Sequence, residues 1–350
     1  MLGRIAALST LPVVAGSATV AGGLTGCQRQ SAASAASLPI TDAKGHLLWQ
    51  NWSGLNHAYP AQRIAADSPQ ALGARLASAP VPIRVLGAGH SFNAQCVTEG
   101  TALSIDGWSG IRAVDTTALT ATVKAGTRLM QLGEELARTG QEMWSLPDIN
   151  KQTLAGAIST GTHGAGLHIP AMHGRVHSFE LVTPTGQVLN CSPETNAELF
   201  HSALVGLGSF GIVTEYTLLN WPLARTRRET QVVPLKQMLG EWENLRQQHR
   251  NAEFYYLPFT DLAVRILHDT TTDAPIPRPA DQDMDGLMDL KKLRDWASWS
   301  TPLRKRIAQA LGNKHSPEVA VDEAWKLLSS ERTIRFNEME YHLPLEHQLP

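Results

Sequence analysis

The chain has 350 residues, which is long enough for two ordinary domains with sizeable hydrophobic cores. Its formal net charge of −2 at neutral pH argues against a protein that binds nucleic acid electrostatically. Three cysteines, Cys27, Cys96 and Cys191, cannot form a disulfide framework and do not have the spacing of metal ligands.

The first 27 residues have the pattern of a bacterial lipoprotein signal peptide. Arg4 supplies the positive charge, Ile5 to Leu24 is apolar and small, and Leu24-Thr25-Gly26-Cys27 matches the lipobox that precedes a lipidated cysteine. A chance apolar N-terminus and a transmembrane anchor are the alternatives, although the many small residues disfavour membrane insertion. Residues 28–47 are then a flexible tether. The sequence predicts an exported protein on the periplasmic side, attached to the membrane by lipid on Cys27.

Regular patterns predict the elements that follow. They are a helix Pro69–Ala77 capped by Ser68, strands Ala102–Asp106 and Ala121–Lys124, a helix capped by Thr127 with the buried stripe Leu129, Leu132 and Leu136, and a hairpin of Ser178–Val182 with Gln187–Cys191.

Between the first helix and these strands, Val81–Asn93 predicts a strand followed by a ligand-binding turn. Val81–Leu86 is apolar, which indicates a buried strand. Gly87-Ala88-Gly89 permits a tight turn whose backbone N–H groups suit a pyrophosphate, and His90 adds a nucleophilic nitrogen. The local pattern alone favours a plainer turn whose histidine only forms hydrogen bonds, because short glycine motifs are weak evidence. A nicotinamide-binding Rossmann turn is rejected, since Asn93 stands where the third glycine should be.

A second stretch, Leu154–Gly166, consists of small residues with several hydroxyls and His163. Few folds need such a run unless the backbone packs against something large and flat. A third stretch, Gly206–Thr214, is again rich in glycine. The nearby His168, His173 and His177 match no zinc-ligand spacing, so no metal site is predicted.

In this order the three stretches resemble the FAD-binding domain of the vanillyl-alcohol oxidase (PCMH-type) superfamily, and within it the sugar-lactone and alditol oxidase branch. The resemblance implies an α+β fold with a two-lobed FAD-binding domain over residues 48–224. An antiparallel-sheet substrate domain would occupy residues 225–350.

The resemblance also implies the cofactor site. His90 would be bonded covalently to the 8α-carbon of the flavin. The other FAD neighbours carried over from the family are Gly87, Ala88, Gly89, Ser91, Phe92, Ser145, Gly156, Ser159, Thr160, Gly161, His163, Gly164, Gly211, Ile212 and Val213. For His163 a purely structural role is an equal alternative.

In the C-terminal half, patterns predict a helix Leu235–Gln248, strands Ala252–Leu257 and Leu262–His268, and a helical stretch Leu287–Leu311. The last predicted element is a strand, Thr333–Pro344, which resembles the family's Glu-Met-Glu-Tyr strand. Glu338 and Glu340 would share one face of that strand and are the candidate catalytic residues. A solvated sheet face is the alternative.

The resemblance implies oxidation of a sugar lactone or polyol by hydride transfer to the flavin, with oxygen or a membrane acceptor taking the electrons. The family's Glu-x-Arg pair and His-Trp-Gly-Lys motif are missing before Pro350, so the substrate domain is expected to be cut short. A non-catalytic, membrane-tethered flavin protein that carries electrons is therefore the alternative function.

Overall fold

A computed structural model describes residues 40–66, 68–76, 78–257, 261–278, 292, 294–312, 317–330, 332, 334–344 and 347. The predictions for residues 1–39, which include Cys27 and most of the tether, lie outside the described residues. Within the described ranges, no helix has the length and apolar character needed to cross a bilayer.

The first lobe is built on a small parallel sheet. Its elements are β1 (Trp49–Gln50), β2 (His57–Ala58), β3 (Gln62–Ala65), α1 (Pro69–Leu76), β4 (Ile83–Leu86) and β5 (Thr101–Ser104). The first two strands form a hairpin, and the other three lie parallel in the order β3-β5-β4. Ser68 begins α1 by accepting a hydrogen bond from the Ala71 N–H at 3.2 Å, as predicted.

The second lobe is built on a five-stranded antiparallel sheet in the order β10-β9-β11-β7-β6. Its elements are β6 (Ile111–Asp115), β7 (Thr120–Lys124), α2 (Leu129–Ala137), β8 (Gln141–Glu142), α3 (Leu154–Ser159), β9 (Val176–Val182), β10 (Val188–Cys191), α4 (Ala197–Ala203), β11 (Ile212–Leu219) and β12 (Trp221–Pro222). Strands β8 and β12 pair separately, and a 3₁₀ turn covers Met172–Arg175.

The two lobes share one hydrophobic core. It joins Leu72 and Leu103 of the first lobe to Val123 and Phe179 of the second. The predicted stripe of α2 is fully buried in this core. Because the segments between the two sheets are anchored by this packing, the turns that leave β4 and enter α3 have fixed positions.

The C-terminal part is a second antiparallel sheet in the order β14-β15-β13-β16. Its elements are β13 (Arg225–Pro234), α5 (Leu235–Gln248), β14 (Asn251–Leu257), β15 (Leu262–Thr271), α6 (Thr301–Gly312), β16 (Glu318–Glu323) and α7 (Ala324–Leu327). Helix α5 packs on the sheet through the fully buried Met238. The sheet begins at Arg225, and the division of the chain at residue 224 stays a prediction.

Polar contacts hold this sheet against the first two lobes. Glu142 and Arg250 form an ion pair at 3.4 Å, with side chains only 7% and 8% exposed. Burial raises the pKa of Glu142 and lowers that of Arg250, and the charge of each partner opposes that shift. The Tyr255 hydroxyl donates to Asp148 at 2.7 Å, and the Ser329 hydroxyl donates to the Pro147 carbonyl at 2.6 Å.

Most elements predicted from periodicity are confirmed: α5 with the predicted ends, the stripe of α2, and α1, the hairpin β9–β10, β14 and β15 with shifted ends. Two details of the first half were wrong. The strand before the turn begins at Ile83, and Val81 is 81% exposed, because Pro82 has no N–H to give to a strand ladder. Thr127 does not cap α2, because its hydroxyl donates to the Lys124 carbonyl at 2.6 Å and accepts from the Gly110 N–H at 2.8 Å.

The predicted strand Thr333–Pro344 was wrong for the part that the structure describes, since no strand is found over residues 334–344. The C-terminal sheet contains another strand, β16, which pairs with β13 and was not predicted from the sequence. The predicted helix Leu287–Leu311 lies partly outside the described residues. Its described part is interrupted by a turn at 297–299, and α6 starts at Thr301, where Pro302 favours the first turn of a helix.

A row of buried polar side chains crosses the C-terminal sheet. His268 on β15 lies opposite Arg228 on β13 and Asn251 on β14. All three are at most 6% exposed. Burial, followed by the charges of Arg228 and Arg250, lowers the pKa of His268 to about 3. His268 is therefore neutral in the folded chain at any ordinary pH.

The substitution His268→Gln should flatten the dependence of stability on pH. An unfolded chain protonates this histidine near its ordinary pKa of 6.5, whereas the folded chain does so only near 3. Because the folded pKa is lowered, stability that is present above pH 6.5 is lost as the pH falls toward 3, by about 3 kcal/mol between pH 7 and pH 4. Urea unfolding at both pH values measures this difference.

The matched control is His57→Gln, since His57 is exposed on β2. This variant should keep the pH dependence of the wild type. The same loss of stability in His268→Gln as in the wild type would contradict the assignment.

Candidate functional site

A large cleft lies between the turn after β4, the start of α3 and the loop before β11. It contains about 1310 Å³ free of protein atoms, including the part open to solvent. Its walls include Ile83–Ser91, the α3 residues Gly156 and Ser159, and Gly206–Val213. The walls therefore run from the turn after β4 past α3 to the loop before β11, an arrangement that suits an extended ligand.

The first wall forms where the turn after β4 touches the start of α3. A Cβ atom on Gly87 would lie 2.6 Å from Oγ1 of Thr153, so no larger residue fits there. The same Thr153 oxygen accepts a hydrogen bond from the Gly156 N–H at 3.2 Å and thereby begins α3. The first two glycine-rich stretches therefore meet as one wall, with backbone at its surface.

His90 stands at the end of this turn with its imidazole ring fixed. The ring stacks on Trp52 with centroids 5.1 Å apart. Its Nδ1 atom is buried and has no hydrogen-bond partner among the described residues. Burial, followed by the charge of Arg128, lowers the pKa of His90, so the neutral imidazole with a free nitrogen lone pair is favoured.

Another part of the cleft wall is the loop that leads into β11. Gly211 has a φ of +145°, a conformation that few other residues adopt. A Cβ atom there would also lie 2.5 Å from the Val182 carbonyl oxygen. This glycine lets the loop Gly206–Phe210 fold over the cleft before β11 begins at Ile212.

A separate polar cluster, which we call the His163 cluster, consists of Ser145, His163, Gly164, Glu340 and His342. The Gly164 N–H donates to the Ser145 hydroxyl at 3.0 Å, and Nδ1 of His163 lies 3.1 Å from the Gly164 carbonyl oxygen. Nε2 of His163 lies 2.8 Å from Oε1 of Glu340, and the His342 ring lies 5.5 Å from that of His163. The C-terminal segment thus reaches the small-residue run.

Two family models match the chain. The model described as "FAD binding domain" matches residues 60–192, and the model described as "D-arabinono-1,4-lactone oxidase" matches residues 216–350. The first covers most of the cleft walls, and the second covers the C-terminal sheet and the Glu340 segment.

By these two matches, the chain resembles an FAD-dependent lactone oxidase in both of its halves.

The proteins that this chain is similar to include an L-gulono-1,4-lactone dehydrogenase of Mycobacterium tuberculosis, which is 28% identical over 86% of this chain and 71% of its own length. A D-arabinono-1,4-lactone oxidase of Yarrowia lipolytica is 29% identical over 69% of this chain. The chain spans only 47% of that second relative. A solved variant of cholesterol oxidase from Brevibacterium sterolicum has the same fold, with a TM-score of 0.62 at 16% identity, over 85% of this chain and 65% of its own.

The cleft suits FAD as a ligand. The Gly87 turn offers backbone without side chains, which lets a large ligand approach closely. Two polar atoms of the cleft walls, Nδ1 of His90 and Oε1 of Gln152, are buried without a partner among the described residues. Buried polar atoms are normally satisfied, so both are available to the flavin or to hydroxyl groups of its ribityl and adenosine parts.

The structure divides the predicted FAD neighbours into two groups. The cleft is lined by Gly87, Ala88, Gly89, His90, Ser91, Gly156, Ser159, Thr160, Gly211, Ile212 and Val213. Phe92, Ser145, Gly161, His163 and Gly164 are not among its lining residues. The Thr160 hydroxyl already donates to the Gly156 carbonyl at 2.9 Å, and Gly164 N–H to Ser145, so these donors serve the protein itself. All these positions stay predictions as FAD contacts.

The two candidate catalytic acids, Glu338 and Glu340, have different surroundings. Glu340 contacts His163, whereas Glu338 is exposed and has no hydrogen-bond partner among the described residues. His163, Glu340 and His342 bring their ligand atoms within 4.8 Å of one another, and the predicted absence of a metal site stays a prediction.

Several residues that line the cleft were not predicted from the sequence as FAD neighbours. Trp49 and Asn51, Gln152 and Thr153, and the loop Gly206–Phe210 line it as well. The glycines of that loop are part of the third stretch, but only Gly211, Ile212 and Val213 of that stretch were predicted as FAD neighbours. Asn51 gave no signal in the sequence, because its amide reaches the Ser91 carbonyl, at 3.0 Å, only through the fold.

Proposed function

We propose that this protein oxidises a C–OH group of a sugar lactone or polyol, with FAD attached covalently to His90. The observation that carries the proposal is the buried, unpartnered Nδ1 of His90 at the end of the glycine turn, in the wall of a cleft that suits FAD. Bound FAD supplies the acceptor for the hydride that leaves the substrate carbon.

His90 is prepared for attachment by its surroundings. Burial and the nearby Arg128 favour the neutral imidazole, and only this form has a nitrogen lone pair for bond formation. Stacking on the indole of Trp52 holds the ring in one orientation, and the backbone N–H of Trp52 donates to the Gly89 carbonyl at 2.7 Å. The ring is therefore held together with the turn that precedes it.

Replacing His90 with alanine should abolish the covalent flavin. We expect the wild-type band to show flavin fluorescence after denaturing electrophoresis, and the His90→Ala band to show none. The control is His168→Ala, because His168 is exposed and does not line the cleft. Soluble, folded wild-type protein without a fluorescent band would contradict covalent attachment.

We further propose that the Glu340 carboxylate, held in place by His163, itself accepts the hydroxyl proton of the substrate. The two side chains meet at 2.8 Å, and His163 follows the residues that line the cleft at Ser159 and Thr160. A carboxylate with a histidine is a common general base, and such groups contribute about 10²–10⁴-fold to rate. The Gly164 carbonyl on Nδ1 orients the ring so that Nε2 faces Glu340.

Anaerobic bleaching of the flavin by L-gulono-1,4-lactone, D-arabinono-1,4-lactone and alditols tests both the activity and this base. We expect at least one lactone or alditol to bleach the wild type, and Glu340→Gln to slow that reduction by about 10²-fold. The matched control is Glu338→Gln on the same segment, which should stay near the wild-type rate.

No bleaching by any of these compounds would instead support the alternative function, a flavin protein that carries electrons. Where bleaching occurs, oxygen consumption in air separates an oxidase from an enzyme that uses a membrane acceptor.

We propose that the chain is exported and held at the membrane by lipid on Cys27. The lipobox Leu24–Cys27 and the apolar run before it support this location. Cys27→Ala should move the protein from the membrane fraction to the soluble or uncleaved precursor fraction and abolish labelling by radioactive palmitate. Unchanged palmitate labelling would rule out Cys27 as the lipid site.

A further inference from the structure

A basic, aromatic segment lies between β15 and β16, away from the residues used above. Residues 292–306 contain the basic residues Lys292, Arg294, Arg304, Lys305 and Arg306 and one acidic residue, Asp295. The whole chain has a formal charge of −2, so positive charge is concentrated here. We call Arg294, Trp296, Trp299, Arg304 and Arg306 the tryptophan patch.

The two tryptophans of the patch face outward. Trp296 is 67% exposed and Trp299 is 77% exposed, whereas Ala297 between them is fully buried. Residues three apart lie on the same side of a helical turn. The buried alanine thus anchors a turn from which both indole rings are exposed, and tryptophan is normally among the well-buried residues of a folded chain.

The basic side chains of the patch have only weak partners. Arg294 binds the carboxylate of its neighbour Asp295 at 2.7 Å, and Arg304 donates to the Thr301 hydroxyl at 3.0 Å. Arg306 is exposed and has no partner among the described residues. Exposed pairs of this kind contribute little to stability, so phosphate groups can replace them.

We propose that the tryptophan patch docks on the surface of a bilayer that contains anionic lipids. Indole rings prefer the level of the lipid headgroups, where one edge is apolar and the N–H is wet. Arginine and lysine side chains of the same segment would be attracted to the negative surface of such a bilayer. A second copy of the chain is a poorer occupant, because a two-fold contact would place like charges against each other.

Docking would complement a lipid on Cys27. The lipid on Cys27 would tether only the N-terminus, whereas a basic, aromatic surface would bring the folded part of the chain to the bilayer. The patch would also fix which face of the C-terminal sheet is turned to the membrane, because α6 and the turn at 297–299 would lie in the interface.

The first test places an environment-sensitive fluorophore in the patch. Full-length chain with Cys27→Ala, which cannot be acylated, carries the probe on Ser298→Cys or, as a control, on Thr116→Cys in the turn between β6 and β7. Both positions are exposed. Phosphatidylcholine–phosphatidylglycerol vesicles should shift the emission to the blue at 298 and not at 116. Pure phosphatidylcholine should give a smaller shift at 298. No shift at 298, or equal shifts at both positions, would overturn the proposal.

The second test removes the indoles. W296S/W299S should weaken partitioning to the mixed vesicles by about tenfold. The control V81S/M339S removes exposed apolar side chains on other segments, 81% and 76% exposed, and should bind like the parent. Equal binding of W296S/W299S and its parent would overturn the proposal. The proposal would also be overturned if the parent formed a dimer, W296S/W299S formed a monomer, and the probe at residue 298 showed no emission shift with vesicles.

Discussion

The contact between Gly87 and Thr153 fixes the geometry of the candidate site. Thr153 cannot move away, because its neighbours are tied by backbone hydrogen bonds: Leu154 N–H donates to the Thr127 carbonyl at 2.8 Å, and Ala155 N–H to the Ala125 carbonyl at 3.0 Å. Gly87 cannot move away either, since it follows β4, which is paired along its whole length with β5. The lack of a side chain at Gly87 is therefore a condition for closing the cleft wall.

The C-terminal part packs against the two lobes and brings further residues to the candidate site. Its sheet is held by the buried Glu142–Arg250 pair and by Tyr255 on Asp148. Past that sheet, the chain returns to the flavin side, where Phe336 meets the Trp52 ring edge-on at 5.2 Å and Glu340 reaches His163. Residues far apart in sequence are thereby brought beside His90 and the small-residue run.

The electrostatics of this interface favour a single arrangement of the parts. An ion pair that is buried on both sides gives little net stability, but breaking it leaves an uncompensated charge. Arg250 also lies near His268, whose neutral state is enforced by burial and by the charges of three arginines, Arg228, Arg250 and Arg278. At neutral pH this interface contains the charged pair Glu142–Arg250 and a neutral His268. In acid His268 becomes protonated, and this arrangement of charges is lost.

The sequence by itself determined the glycine turn with His90 and several of the helices and strands of the two lobes. These features depend on local rules: hydrophobic period, turn residues and the absence of a Cβ atom. It could not determine the missed strand β16, the absence of a strand at 334–344, or the different surroundings of Glu338 and Glu340. Sheet order, burial of Nδ1 of His90 and the exposure of Trp296 and Trp299 were decided only by the tertiary structure, because each depends on which distant segments pack nearby.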